Sequence, residues 1–217
     1  MSKQLQLDFD KVIKTLKFSN EEIRLKKDFL KKFIENGFPN RKQEDWKFLD
    51  ISQIIKKNIS DLSFFNDYSQ PNKIDSSTFV DGLEHNKIIF VNGKIEKIDF
   101  NYEDQNKIEI SDETKRDISF NYENSLIDLN NAFTHKVFKI LVKKNYSLKK
   151  PLIIYHSTND NIKSTNVNLR LDFELGENSC LRLIDFFTDN KAKNFINIFY
   201  NFILEKDSIL KNYKIDK

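Results

Sequence analysis

Apolar residues in the first part of the chain recur at the three- and four-residue spacing of an amphipathic helix. Ser19 and Glu22 precede this pattern with the spacing of a helix-capping box, and Gly37 and Pro39 end it. The pattern predicts a helix whose apolar face is formed by Ile23, Leu25, Phe29, Leu30, Phe33 and Ile34. A second short amphipathic pattern begins at Phe48, so we predict a helical N-terminal region over residues 1–60.

The pattern changes after residue 60. Residues 61–86 are mostly polar and irregular, and we predict a connector there, marked by Pro71 and the cluster Ser76, Ser77 and Thr78. From residue 87 the apolar period shifts to two, which is typical of strands. Asn92-Gly93 between two apolar runs predicts a β-hairpin, and one helical pattern then interrupts the strands at Leu126, Leu129 and Phe133.

The last third of the chain contains an internal repeat of strand, polar turn and strand. In one copy Leu175 and Cys180 flank a four-residue turn, and Leu204 and Ile209 match them in the next copy at one constant offset. A looser copy begins at Val142, at a slightly longer offset from Leu175. Such a unit cannot bury its apolar face alone and must stack on its neighbours.

The repeat favours a mainly β fold. We predict that residues 87–217 form the start of a parallel β-helix. Because the chain stops at Lys217 within a strand-like pattern, we expect this β-helix to be incomplete, with its C-terminal part missing.

Composition excludes several classes of function. The 36 basic and 33 acidic side chains leave a net charge of only +3 and alternate along the chain, so nucleic acid is not an expected partner. A single cysteine and the lack of an N-terminal apolar segment predict a cytoplasmic protein without a membrane partner. Gly93-Lys94 lacks the first glycine of a phosphate-binding loop, because Ile88 occupies that position, so we expect no nucleotide hydrolysis.

Five residues are candidates for a special role, and each also has a purely structural interpretation. His85, His135 and His156 lack the spacing of metal ligands, so we interpret them as surface or hydrogen-bonded histidines. Cys180 alternates with Leu181 and Leu183 and is interpreted as a small buried apolar residue. Trp46, between the two predicted helices, is interpreted as a buried joint. The sequence therefore predicts no catalytic, cofactor-binding or metal-binding residue.

Four segments resemble, in the same order, segments of the SufD family, whose members are subunits of the SUF iron–sulfur cluster assembly complex. They are FPNRKQEDWKF (38–48), IIFVNGK (88–94), LNNAF (129–133) and VKKNYSLKKPLIIYH (142–156). The resemblance extends over most of the chain from about Arg41 onward. One departure follows LNNAF, where His135 and Lys136 replace the Asp-Gly-like turn usual in the family.

The resemblance implies a helical N-terminal region followed by a right-handed parallel β-helix. It also implies a non-enzymatic scaffold subunit that acts with SufB and with the ATPase SufC. The family's cluster-associated histidine and its SufC-binding helices belong to a C-terminal half that this chain lacks. No functional residue is therefore transferred, and the resemblance implies a cluster assembled by the complex, with no cofactor bound by this chain alone.

Two other classes fit parts of the pattern. A non-catalytic β-helix interaction protein would show the same repeat and differ mainly in the partner that it binds. A β-helix carbohydrate-active enzyme would need carboxylates repeated on one face, and the repeat has none. A hexapeptide acyltransferase would need a much shorter period than the one that separates Leu175 from Leu204.

Overall fold

Helix α2 (Asn20–Asn36) begins at the predicted capping box. The backbone N–H of Glu22 donates to the Ser19 hydroxyl, and the backbone N–H of Ser19 donates to the Glu22 carboxylate. The helix ends at Gly37, whose φ of 68° is readily adopted only by glycine. Both predicted boundaries are confirmed.

The computed structural model describes residues 2–59, 61–67, 79–113, 124–188 and 193–216. In these ranges the α-helices are α1 (Ser2–Thr15), α2 (Asn20–Asn36), α3 (Ile51–Asn58) and α4 (Ser125–Phe133), with a 3-10 turn at Glu44–Trp46. The strands are β1 (Asn86–Val91), β2 (Lys94–Asp99), β3 (Ile108–Glu113), β4 (Val137–Val142), β5 (Leu152–Ser157), β6 (Asn166–Leu175), β7 (Cys180–Phe187), β8 (Phe195–Leu204) and β9 (Ile209–Asp216). Among the described helices, none combines the length and the apolar character needed to cross a bilayer.

Two of the predicted local elements are confirmed and one begins later than predicted. Val91 pairs with Lys94 across the Asn92-Gly93 turn, as a hairpin requires, and α4 forms at the predicted helical pattern. Helix α3 begins at Ile51 and not at Phe48, because the Asp50 carboxylate caps it by accepting the Gln53 N–H. Phe48 lies before the helix and is 85% exposed.

The described strands form two sheets. Sheet one has the order β2-β1-β5-β7-β9, and sheet two has the order β3-β4-β6-β8. The pairs β1–β2 and β3–β4 are antiparallel, and the other neighbouring pairs are parallel. From β4 onward, consecutive strands alternate between the two sheets.

The parallel pairs follow the repeat predicted from the sequence. Leu175 pairs with Leu204 and Cys180 with Ile209, so both pairs have the constant offset of the repeat. Val142 pairs with Leu175, at the longer offset of the looser copy. The repeat therefore sets the register of these strands.

The turns of the repeat also stack on one another. The Asn145 N–H donates to the Glu177 carbonyl at 2.7 Å, and the Asn178 N–H donates to the Lys206 carbonyl at 3.0 Å. The equivalent turn residues Asn145, Asn178 and Asp207 all have φ of 56–57°. Asparagine and aspartate tolerate this left-handed conformation better than most residues, which explains their presence at that position.

The predicted fold class, a mainly β right-handed parallel β-helix after a helical region, is wrong. The described residues form an α/β fold with two mixed, mostly parallel sheets and four helices. The antiparallel pair β1–β2 lies at one edge of sheet one, and the antiparallel pair β3–β4 lies at one edge of sheet two. Helix α4 lies between β3 and β4 in the chain. A repeat fixes the register of the strands that contain it, but it does not determine how each sheet begins or which elements cover it.

Two large buried clusters organise the described part of the chain. The first lies between the sheets and is mainly aliphatic, with Ile88, Ile140, Val142, Leu152, Ile154, Leu169, Leu171, Leu175, Leu181 and Leu183 among its residues. The second joins the helices and is rich in phenylalanine, with Phe9, Phe33, Phe38, Phe64 and Phe133 packed on leucines. Helix α4 contributes Leu129, Ala132 and Phe133 to the second cluster and also contacts β6 and β8. It therefore connects the helical layer to sheet two.

Several residues that mark the predicted organisation lie outside the described residues. These are Pro71, Ser76, Ser77 and Thr78 of the predicted connector, and Lys217 at the end of the chain. The division into residues 1–60, 61–86 and 87–217 stays a prediction.

Candidate functional site

A cleft of about 280 Å³ opens near the turn between β1 and β2. Residues of both sheets line it. Its apolar wall is formed by Ile95 of β2, Phe138 of β4 and Leu169 of β6. Its polar lining is formed by Lys94, Asp112, His135, Lys136 and Asn168. A concave, mainly apolar surface with a few polar groups is the usual form of a small-molecule site.

The polar rim of the cleft has an excess of positive charge. Lys136, which directly precedes β4, forms an ion pair with Asp112 of β3, while Lys94 adds a second cation. Burial lowers the pKa of His135, and the nearby charges of Lys136 and Lys26 lower it further, whereas Asp112 opposes the shift. His135 is therefore held mainly neutral at pH 7, in a positive local field.

A second polar cluster is buried between the sheets. The Nε2 atom of His156 lies 3.1 Å from the Asp185 carboxylate and 3.0 Å from the Tyr200 hydroxyl. The Tyr200 hydroxyl donates to the same Asp185 oxygen. His156 stacks between the rings of Phe90 and Phe187, with centroids 5.8 and 4.7 Å away. The cluster links β5 and β7 of sheet one to β8 of sheet two.

Burial controls protonation in this cluster. It lowers the pKa of His156, and the hydrogen bond to Asp185 only partly opposes this. Burial, followed by the charge of Asp185, raises the pKa of Tyr200 well above its usual range. A neutral imidazole with its proton on Nε2 can donate to the Asp185 carboxylate and the Tyr200 hydroxyl. His156, Asp185 and Tyr200 therefore all have hydrogen-bond partners.

The cleft and the buried His156 cluster are close neighbours. A small void of about 10 Å³, large enough for about one water molecule, is lined by His156, Gly93 and Leu169. Gly93 and Leu169 also line the larger cleft. The interior between the sheets therefore has His135 at its rim and His156 deeper inside.

The LNNAF segment acts as a joint between the layers. The Asn130 amide donates to the carbonyls of Leu169 and Asn197, at 3.0 and 2.8 Å, which lie on adjacent strands of sheet two. The buried Lys26 ammonium of α2 donates to backbone carbonyls around the end of α4, including that of Thr134 at 2.6 Å. Polar side chains at this joint thus satisfy backbone groups that would otherwise lack partners.

Trp46 is not the buried joint that the sequence predicts. It lies in the 3-10 turn between α2 and α3, as expected, but it is only partly buried. Phe38 occupies the buried position, with its ring centroid 5.1 Å from that of Phe33 and 5.8 Å from that of Phe195. The preceding proline-containing turn, and not the tryptophan, anchors the segment.

Cys180 is not the buried apolar residue that the sequence predicts, whereas His85 is hydrogen-bonded, as its interpretation requires. Cys180 begins β7, is partly buried, and pairs with Ile209 as the repeat predicts. The His85 ring lies 2.9 Å from the Tyr155 hydroxyl and 2.6 Å from the Leu83 carbonyl. Among the residues that the structure describes, no group of three or more His, Cys, Asp and Glu side chains could hold a metal ion.

Sequence reasoning missed Asp185 and Tyr200, although a signal was present. In β7, Asp185 has the same alternation as Leu181 and Leu183, whose side chains point between the sheets. His156 likewise follows Leu152 and Ile154 in β5. An inward carboxylate and an inward imidazole on adjacent strands need each other as partners, because burying either one alone is costly.

A scan of protein-family models finds no match to this chain, and a search of curated proteins finds no significant match either. The likeness to SufD therefore depends on the four segments quoted above.

Proposed function

We propose that this chain is a SufD-like scaffold subunit of the SUF iron–sulfur cluster assembly system. In this proposal it acts in the cytoplasm with SufB and SufC, has no enzymatic activity of its own, and supports a cluster that the complex assembles. The proposal does not depend on the predicted β-helix class, which the structure contradicts.

One observation supports the proposal most directly: FPNRKQEDWKF and LNNAF lie at structural joints, and the other two segments build the middle of sheet one. In FPNRKQEDWKF, Phe38 is buried among the helical aromatics, and the Pro39 carbonyl accepts the Ile51 N–H at 3.2 Å. LNNAF ties the helical layer to sheet two through Asn130. Residues that resemble a family at such positions specify an architecture, which is what a scaffold protein contributes.

The other two segments build the central part of sheet one. IIFVNGK forms most of β1 and its turn, and VKKNYSLKKPLIIYH runs from the end of β4 into β5, which pairs with β1. Within the second of these, the Tyr146 hydroxyl donates to Glu103 at 2.7 Å and accepts the Asp104 N–H at 2.9 Å. Glu103 also accepts the backbone N–H groups of Lys149 and Lys150. Burial alone would raise the pKa of Glu103, but these bonds and that from Asn86 together lower it.

A chimera tests the proposal. Residues 1–217 of this chain would replace the matching part of a bacterial SufD and be expressed in cells that lack their own SufD. We expect the chimera to co-purify with SufB and SufC and to restore the activity of iron–sulfur enzymes such as aconitase. The same chimera with Leu171→Asp, a charge in the core between the sheets, is the matched control that should fail.

A chimera that accumulates to the level of native SufD, yet neither binds SufB nor restores aconitase, would exclude the SufD-like function. Binding without restored activity would favour a general interaction protein over a SUF subunit.

A further inference from the structure

The cleft beside His135 has a lining and a volume that suit a small ligand. Its apolar wall comes from three different strands, β2, β4 and β6, so a ligand there would contact both sheets at once. Its volume of about 280 Å³ is just below the range of about 300–1,000 Å³ typical of small-molecule sites. The cleft therefore suits a compact ligand with an apolar body.

The charges around the cleft select the kind of polar group that such a ligand would have. Lys94 and Lys136 line the rim, and one carboxylate, Asp112, lies with them. Lys136 is paired with Asp112, so Lys94 leaves one positive charge in excess at the rim, which attracts a negatively charged group.

Lys94 and Lys136 line the rim of a cleft whose wall is mainly apolar. A carboxylate could face Lys94 and Lys136 at the rim while its apolar part contacts Ile95, Phe138 and Leu169. Inorganic phosphate would gain from the lysines but would leave the apolar wall uncovered. We propose that this cleft binds a small organic carboxylate with an apolar body.

Nuclear magnetic resonance on the full 217-residue chain tests the proposal with benzoate as the probe. Benzamide, which has the same shape without the charge, is the matched neutral compound, and inorganic phosphate is the anion without an apolar body. We expect saturable shifts at the Ile95 methyl groups and the His135 ring with benzoate. A bound carboxylate favours the imidazolium form, so the pKa of His135 should rise when benzoate is present and stay unchanged with benzamide.

Two lysines of the same strand provide the variants. Lys94→Met removes a cation from the rim, whereas Lys97→Met removes one from β2 outside the cleft lining, where Lys97 lies 4.0 Å from Asp99. We expect Lys94→Met to weaken benzoate binding by about two- to fivefold, as for a partly exposed ion pair, and Lys97→Met to leave it unchanged. Both side chains are exposed, so neither variant should impair folding.

Several results would overturn the proposal. These are equal binding of benzoate and benzamide, phosphate binding as tight as that of benzoate, equal effects of the two lysine variants, or no saturable shift at Ile95 and His135.

Discussion

Strands β6 and β7 form one copy of the repeat, and β8 and β9 form the next. The residues of the second copy are much more exposed than those of the first. Leu175 at the end of β6 is fully buried, whereas its repeat partner Leu204 at the end of β8 is 50% exposed. Strand β7 has β5 on one side and β9 on the other, while β9 pairs with β7 alone among the described strands. Identical local pattern therefore does not mean identical burial, because burial depends on what lies on both sides of a strand.

The same contrast holds for the apolar residues of the last strand. Ile209, Tyr213 and Ile215 of β9 are all exposed, whereas their register partners in β7, Cys180, Ile184 and Phe186, are partly or fully buried. We therefore expect the inner copies of the repeat to contribute more to stability than the outer copy. The first two predictions below test this division.

The largest difference should appear between two leucines. Leu175→Ala should lower the free energy of unfolding by about 3 kcal/mol, because it opens a cavity between the sheets. Leu204→Ala should cost less than about 1 kcal/mol, since half of that side chain is already in solvent. Urea denaturation followed by circular dichroism measures both, and equal losses for the two variants would contradict the division.

Hydrogen exchange should separate the two strands directly. We expect the amides of β7 to exchange only through global unfolding, and those of β9 to open locally at a free energy lower by about 2 kcal/mol or more. Mass spectrometry of exchanged peptides from the native chain would detect this. Strong protection through Ile215, equal to that of β7, would show that β9 is as firmly held as the inner strands.

The buried His156 should make stability depend on pH. Its folded-state pKa is lowered, so the folded state favours the neutral imidazole, and this contribution is present above the unfolded value of about 6.5 and lost as pH falls below it. One histidine can contribute a slope of at most about 1.4 kcal/mol per pH unit. Asp185, Tyr200 and Lys214 are the titratable groups around it.

His135 provides the matched comparison at the rim of the cleft. Its pKa is lowered in the same direction, but it is only partly buried and has Lys136, Lys26 and Asp112 around it. We expect His156→Gln to remove more of the slope between about pH 5.5 and 6.5 than His135→Gln, in a denaturation series at about half-unit steps. A larger effect of His135→Gln would mean that the interior cluster is not the main pH-sensitive group.

The smallest effect should come from Cys180. Cys180→Ser should lower stability by about 1 kcal/mol or less, because the side chain is only partly buried and begins its strand. We also expect anaerobic reconstitution of the chain with iron and sulfide to yield no stable cluster. A stoichiometric cluster spectrum that disappears in Cys180→Ser would show that the residue is a ligand.

The sequence by itself determined the local elements whose cause is local. Ser19 and Glu22 fix the start of α2, Asn92-Gly93 fixes a hairpin, and the internal repeat fixes the register of β6 with β8 and of β7 with β9. Each depends on hydrogen bonds or side-chain alternation within a short stretch, or on a repeat that is visible in one dimension.

Only the tertiary structure decided the fold class, the buried anchor and the sites. The antiparallel pairing of β3 with β4 and the position of α4 against sheet two depend on contacts between distant parts of the chain. The burial of Phe38 in place of Trp46, the meeting of His156 with Asp185 and Tyr200, and the cleft beside His135 have the same origin. The hydrophobic effect is non-directional, and close packing depends on every neighbour at once. A pattern along the chain therefore shows which faces are apolar but not which element covers them.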